Sequence, residues 1–368
     1  MKSRLSILPK LIYVLFWTAL TIYTVTLPIA NTMALRNLGF VLLLAVTLYT
    51  LTSNRLKPEF PLAAPWSAYA AVALVSLAYA VDLQYSARNF VAEIVTGALV
   101  FSLAATWSRS KPILNGLTAI LTVLNAASLL TLLSLYPISQ LWDIYTVGVA
   151  SLHPFARVAI NSNFLVSAMP MIGLGAWRLW RGGRIYLAAV LIVLLAADLG
   201  AMLISGNRQN MIAVAASVLC VVALFPQTFF NRRRVAVLFI LILSITALFL
   251  LQLLRRTGGG WDAPGLLTTT LQQDPRWDLW RFSIEKIIES PWQGGGFGRG
   301  VFDRLYSEYR PDDPLLWHAH NMILNKGIQM GIPGMLVFVW LWAALFRKLA
   351  IHAREIAPIK EIALVGLA

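Results

Sequence analysis

Long apolar runs separated by short polar connections dominate the chain. A helix needs about 20 apolar residues to cross a hydrocarbon core of about 30 Å. Ten runs meet or approach that length, near residues 11–30, 38–53, 62–81, 91–107, 113–136, 163–179, 185–204, 211–226, 235–254 and 321–346. An eleventh starts near Ile362 and stops at Ala368, so one or two further spans are expected beyond it. The first run follows Lys2, Arg4 and Lys10, but it is too long for a signal peptide and lacks a small-residue cleavage site. The pattern predicts an all-α, polytopic helical membrane protein with at least ten spans. Residues 1–254 hold the first nine, 255–319 form one large polar loop, and 320–368 hold the tenth span and the start of another.

Composition agrees. Hydrophobic residues make up 58% of the 368 and charged ones 12%, too little charge to cover a soluble globule. The net charge of +14 would suggest nucleic acid in a soluble protein. Here it orients the chain, and no nucleic-acid partner is expected. With the N-terminus in the cytoplasm, the inner segments carry 17 Lys and Arg and the short outer connections carry 4. Positive charge stays inside, so the 255–319 segment is expected outside. The single cysteine, Cys220, excludes a disulfide framework.

The outer segment has internal order. Asp274-Pro275 reads as an N-cap followed by proline at the first helical position. The helix after it carries Trp277, Trp280, Arg281, Ile284 and Ile288 at near-helical spacing, which suits the membrane interface. Ser290-Pro291 ends it. The glycine-rich turn WQGGGFGRG follows, then a short helix near 301–310, the PDDP turn, and WHAHN at the mouth of the tenth span.

Chemistry in a membrane protein is sought where polar groups cluster at span ends. Four outer clusters stand out: Ser205-Gly206-Asn207-Arg208, the helix bearing Arg276 and Arg281, the turn Gly294 to Gly300, and His318-Ala319-His320-Asn321. Three arginines and two histidines on one face suit a substrate carrying phosphate. Arginine offers a permanent charge and a fork of donors, and histidine accepts a proton near neutral pH. Each group also has a plainer role. Arg276 and Arg281 could snorkel to headgroups, Arg208 could be a loop residue, and the glycines could serve only as turns. The turn is no P-loop, because Gly-Lys-Ser/Thr does not follow it. His318 and His320 share a face only if extended, and a zinc site would need a third ligand. No metal and no cofactor is expected. Glu93 and Asp198 lie inside apolar runs, where pairing within the bundle is favoured, for example Glu93 with Arg88 or Arg157.

This pattern resembles the O-antigen ligases of lipopolysaccharide assembly, within the wider O-antigen ligase/polymerase superfamily. His320-Asn321, nine residues, then Gly331-Ile332-Pro333-Gly334 fits the family's His-[Asn/Ser/Gln]-x9-Gly-x-x-[Gly/Thr/Tyr] signature. Ser205 to Arg208 is similar to its Ser-Gly-x-Arg element, and the single large outer loop has its layout. The resemblance with motifs covers roughly residues 160–346; the first five spans match in hydropathy only. Members typically have about twelve spans. The resemblance implies metal-independent, inverting transfer at the periplasmic face of the bacterial inner membrane. O-antigen polysaccharide would pass from undecaprenyl diphosphate to a sugar hydroxyl of lipid A–core. His320 would be the base and Arg208, Arg276 and Arg281 the diphosphate clamp. Asn321 would orient the histidine or a sugar, and His318 would be a second binding residue.

Rival expectations differ in visible ways. O-antigen polymerases commonly carry two large outer loops with Arg-x10-Gly motifs; one loop is large here and no outer arginine has glycine at that spacing. A protein O-glycosyltransferase of the same superfamily is a further alternative. A flippase for a lipid-linked sugar would carry mid-membrane polar groups and an internal repeat.

Overall fold

The computed structural model describes residues 10–135, 158–204 and 276–355, apart from 28, 30, 54–56, 108–110, 308 and 310–317; residues 213, 214 and 243 are also described. In chain order the helices begin with α1 (Lys10–Thr26), α2 (Met33–Thr52) and α3 (Ala63–Val75), which runs into a 3-10 turn at Ser76–Tyr79. Next, α4 (Leu83–Asn89) continues through a π-helical turn at Phe90–Val95 into α5 (Thr96–Trp107). Then come α6 (Lys111–Leu135), α7 (Val158–Arg181), α8 (Ile185–Ile204), α9 (Arg276–Glu289), α10 (Val301–Leu305) and α11 (Met322–Glu355). No strand occurs among the described residues.

Among the described residues, four stretches are long and apolar enough to cross a bilayer: Met33–Thr52, Leu83–Trp107, Pro112–Leu130 and Met322–Lys348. Lys10–Thr26, Ala63–Tyr79 and Ile185–Ala201 are shorter apolar helices. The chain is an all-α, multi-pass membrane protein with at least four such helices. Eight of the ten expected runs coincide with a helix. The runs at 211–226 and 235–254, and the stretch from Ile362, lie outside the described residues.

The chain divides into two compact units. The first comprises Met1–Lys57, Trp107–Gly259 and Leu349–Ala368. In it α1 and α2 form a hairpin around Phe16, Ala19, Leu43 and Val46, with Trp107 and Ile113. Gly39 permits their close approach: a Cβ there would lie 2.8 Å from the Tyr23 nitrogen. The Trp107 indole donates to Thr47 Oγ1 at 3.0 Å, and the Thr47 hydroxyl donates to the Leu43 carbonyl at 2.7 Å. That chain satisfies polar atoms that apolar surroundings would otherwise penalise. Leu129 of α6, Leu165 of α7 and Ala201 of α8 form a second core. Asp198 is wholly buried on α8, beside the equally buried Asn125 of α6.

The second unit comprises Pro58–Thr106 and Gly260–Lys348. Tyr69, Ala73, Ile94, Phe297, Met330, Phe338 and Leu341 make its core. Phe297, the one large apolar residue between Gly294 and Gly300, is fully buried, edge-on to Tyr69 and Phe90 at 6.3 Å from each. A second cluster, Leu279, Ile287, Phe302 and Ile328, fixes α9 and α10 to the first turns of α11. Glu93, in the π-helical turn, pairs with Lys326 of α11 at 3.3 Å, which corrects the expected pairing with Arg88 or Arg157. Exposed Arg88 can be solvated where it stands, whereas Lys326 is 7% exposed and requires a counter-ion. Gln329 Oε1, at 3.0 Å, and the Phe297 ring, 4.6 Å from the ammonium, complete the Lys326 environment.

Candidate functional site

The site is built around a break in α11. Gly331 has φ +68° and ψ −166°, and Pro333 follows two residues later. An unbroken helix would bring the Ile332 and residue-333 nitrogens back to the carbonyls of Ile328 and Gln329. Proline has no N–H to give, and the turn at Gly331 swings Ile332 away. The Ile332 N–H donates instead to the Pro291 carbonyl at 2.7 Å. The two released carbonyls accept from the glycine turn: Gly295 N–H to Ile328 O at 2.9 Å and Gly296 N–H to Gln329 O at 3.1 Å. Turn and broken helix thus exchange backbone hydrogen bonds, and the accounts balance. Only glycine allows this approach. A Cβ on Gly294 would lie 2.3 Å from the Gln329 backbone, and one on Gly331 would lie 2.6 Å from the Pro291 oxygen. This is a physical reason for both Gly331 and the glycine run.

The other side of the turn is held by the segment before α5. Asp82 caps α4, its carboxylate accepting from the Tyr85 N–H at 2.9 Å. The Val81 N–H donates to the Gly295 carbonyl at 3.0 Å, and the Gly300 N–H donates to the Tyr85 hydroxyl at 2.7 Å. Arg304 of α10 lies 3.7 Å above the Tyr85 ring and pairs with Asp82 at 3.2 Å. The Tyr85 N–H, and after it Arg304, hold the Asp82 carboxyl below the usual carboxylate range.

Residues 318–320 lie outside helix, just before α11 starts at Met322. The His318 and His320 rings stack, with centroids 3.8 Å apart and planes inclined by 19°. His320 takes φ +46°, uncommon for a residue with a side chain. His318 Nδ1 accepts the His320 backbone N–H at 2.9 Å, which fixes that conformation. His318 is buried and His320 half-buried. The Trp280 indole donates to the Ala319 carbonyl at 2.9 Å, tying α9 to the same short segment.

Arg299, on the glycine turn, places Nη2 against His318 Nε2. Arg276 acts on the same ring electrostatically. Burial first, then His320, Arg299 and Arg276, push the His318 pKa down to about 3, so its imidazole is neutral at physiological pH. The mouth therefore combines a neutral imidazole, a second imidazole stacked on it and two guanidinium groups. Such a cluster can hold an anion and accept a proton.

The expected site residues divide. His318, His320 and Arg276 come together. Arg276 shares a face of α9 with Trp280, buried Ser283 and Ile287, the face turned to the core. Arg281 lies on the adjoining stripe with Trp277, Ile284 and Ile288, all exposed. Asn321 Oδ1 accepts the Ile323 and Leu324 N–H groups at 3.0 and 3.2 Å, so this oxygen caps α11. Arg208 and its Ser-Gly-x-Arg segment, the Asp274-Pro275 cap, and Asp312 and Asp313 lie outside the described residues. The short helix after the turn ends at Leu305, earlier than the expected 310. Among the described residues, no group of three His, Cys, Asp or Glu is placed to hold a metal ion. Arg299 and Tyr85 were not singled out by sequence. An arginine inside a glycine run that precedes the histidine pair was the available signal for the first; Tyr85 carried none.

Residues 191–339 match the family model described as O-antigen ligase. That stretch includes α9, the glycine turn, the histidine pair and the break at Gly331. No curated protein and no solved structure matches the chain.

Proposed function

Over residues 191–339 the chain belongs to the O-antigen ligase family, and on that premise we propose that it transfers O-antigen polysaccharide from undecaprenyl diphosphate to a sugar hydroxyl of lipid A–core. The observation that carries this reading is the cluster of stacked His318 and His320 beside Arg276 and Arg299 at the mouth of α11. The chemistry asks for two things. The acceptor hydroxyl must lose a proton as its oxygen attacks the anomeric carbon, and the departing diphosphate must be stabilised. His320 takes the proton. Arg276, with Arg208 from the Ser-Gly-x-Arg element, neutralises the diphosphate, and Arg281 and Asn321 are secondary candidates for substrate contact. One bond forms, from acceptor oxygen to anomeric carbon, and one breaks, from that carbon to the phosphate oxygen. Undecaprenyl diphosphate leaves, and single-step attack inverts the anomeric centre.

The charge asymmetry of 17 to 4 supports an inner-membrane protein with a cytoplasmic N-terminus and a periplasmic site. The test is transfer by purified protein without an energy source, with and without lipid A–core. Ligation only with acceptor present fits the proposal. Extension of one lipid-linked glycan by another points to a polymerase, and movement of donor without transfer points to a flippase. Transfer should survive dialysis against EDTA; loss on chelation, with recovery on adding a divalent ion, would count against the arginine clamp.

A further inference from the structure

We propose that Arg299 and His318 together form the subsite for one phosphate oxygen of the donor diphosphate, while His318 positions His320 through its other ring nitrogen. This rests on the ligase reading above and assigns a role to a residue that reading does not use.

The argument starts from what a neutral imidazole can do. It has one N–H and one lone-pair nitrogen. His318 Nδ1 accepts the His320 backbone N–H at 2.9 Å. Nδ1 therefore carries the lone pair, and Nε2 carries the hydrogen. Nη2 of Arg299 lies against this nitrogen, and a guanidinium likewise has only N–H groups to offer. Two kinds of N–H donor thus meet at one place, where a single oxygen with free lone pairs can accept from both. An anionic oxygen suits best, because Arg299 and Arg276 both bring positive charge to this ring. A proton on both nitrogens would break the link to His320 and add a third cation to a buried place. The backbone delivers the same geometry. Gly298 has φ +131°, and a Cβ there would lie 2.6 Å from Tyr85, so the turn that presents Arg299 is seated directly on α4. The Gly300 N–H to Tyr85 bond closes it on the far side of Arg299.

His318 is then a residue with two separable tasks: Nε2–H binds the donor, and Nδ1 holds His320. Two substitutions part them. In His318→Asn the carboxamide oxygen reaches about as far as Nδ1 and can still accept the His320 N–H. In His318→Gln the amide nitrogen reaches about as far as Nε2 and can still donate.

The experiment uses the full chain in phosphatidylcholine nanodiscs, with binding of undecaprenyl diphosphate measured directly and donor KM and kcat measured by transfer. Arg299→Ala should weaken undecaprenyl diphosphate binding about tenfold or more and raise donor KM to match. His318→Asn should follow it, losing affinity. His318→Gln should keep affinity and lose kcat. Where Arg299→Ala fails to give a monodisperse protein, Arg299→Lys keeps the charge without the fork of donors and should lose affinity by a smaller factor. A folded Arg299→Ala that binds undecaprenyl diphosphate as the wild type does overturns the inference. So does a parallel loss of affinity in both His318 variants. Repeating the binding in phosphatidylglycerol nanodiscs separates donor from headgroup: an Arg299 effect seen only there assigns the subsite to lipid headgroups and also overturns it. If the wild type neither binds undecaprenyl diphosphate nor transfers, the ligase reading itself fails. If the wild type does both and Arg299→Ala is unaffected, only this inference does.

Discussion

In the α1–α2 hairpin, side chains hold two helices together: Phe16 and Ala19 against Leu43 and Val46, with Thr47 supplying an acceptor for the Trp107 indole. At the mouth of α11 the helix is broken, and backbone groups do the joining. Gly295 and Gly296 donate to Ile328 and Gln329, and Ile332 donates to Pro291. The hairpin has one close backbone approach, at Gly39, and otherwise depends on apolar volume, which many sequences can supply. The mouth depends on closeness, which glycine alone permits at Gly294 and Gly331. Substitutions should therefore act differently in the two places. In the hairpin they should change stability, and at the mouth they should change chemistry.

The largest expected effect is at the mouth. His320→Ala should lower transfer by about 10²–10⁴, the usual cost of losing a general base, while the donor still binds. Ligation in a knockout strain, with membrane abundance measured in parallel, checks it. Normal ligation by this variant would remove the mouth from the chemistry altogether.

A matched pair of glycines sharpens the comparison. Gly331 and Gly183 have nearly equal φ, +68° and +75°. A Cβ on Gly331 meets the Pro291 oxygen at 2.6 Å, whereas one on Gly183 meets nothing within 4 Å. Gly183→Ala should cost about 1 kcal/mol of backbone strain and leave transfer intact. Gly331→Ala adds displacement of the 291–293 backbone, so transfer should fall by about tenfold or more through loss of about 1–3 kcal/mol of local order. Thermal unfolding and single-turnover transfer measured on both variants would reveal the contrast. Equal behaviour would mean that the backbone exchange has no bearing on the site.

A smaller contrast runs across α9. Arg276→Ala should raise donor KM several-fold, a loss of about 1 kcal/mol or more for a charge-assisted contact. Arg281→Ala, on the stripe with exposed Trp277 and Ile288, should stay within about twofold. Steady-state kinetics at varied donor decide it, and a larger effect from Arg281 would reverse the assignment of faces.

The smallest effect concerns pH. His318 is held at a pKa of about 3 by burial and by His320, Arg299 and Arg276, well below the unfolded value of about 6.5. A depressed pKa places its stabilising contribution above pH 6.5. That contribution is lost as pH falls towards 3, because the unfolded chain takes up the proton first. Within pH 6.5–8 His318 does not titrate. The pH–rate profile of His318→Asn should therefore match the wild type in shape over that range, and a displaced limb would contradict a neutral His318.

The spans were legible because hydropathy is a one-dimensional property: eight expected runs coincide with helices, from Lys10–Thr26 to Met322–Glu355. The signature glycines Gly331 and Gly334 were visible too, though not what they touch, since Pro291 lies forty residues away in sequence. Asn321 could have been recognised as a cap from its place just before an apolar helix. Two things were not legible. Glu93 found its partner at Lys326, 233 positions on, and hydropathy carries no pairing information. Arg299 is one of many cations in the 255–319 segment, and only the turn geometry of Gly298 and Gly300 sets it against His318.

The break at Gly331 also sets the terms for recombining this protein with relatives of different specificity. The natural cut for a chimera lies at the mouth of α11, where loop becomes membrane helix. Here that cut would sever three backbone bonds, because Ile328, Gln329 and Ile332 are partnered by residues of the loop. The exchangeable cassette runs instead from Arg276 past Gly334, and it brings along the seat that receives it, Val81 to Asn89, against which Gly295, Gly298 and Gly300 rest. A loop grafted without those two pieces would arrive with donors and acceptors facing strangers.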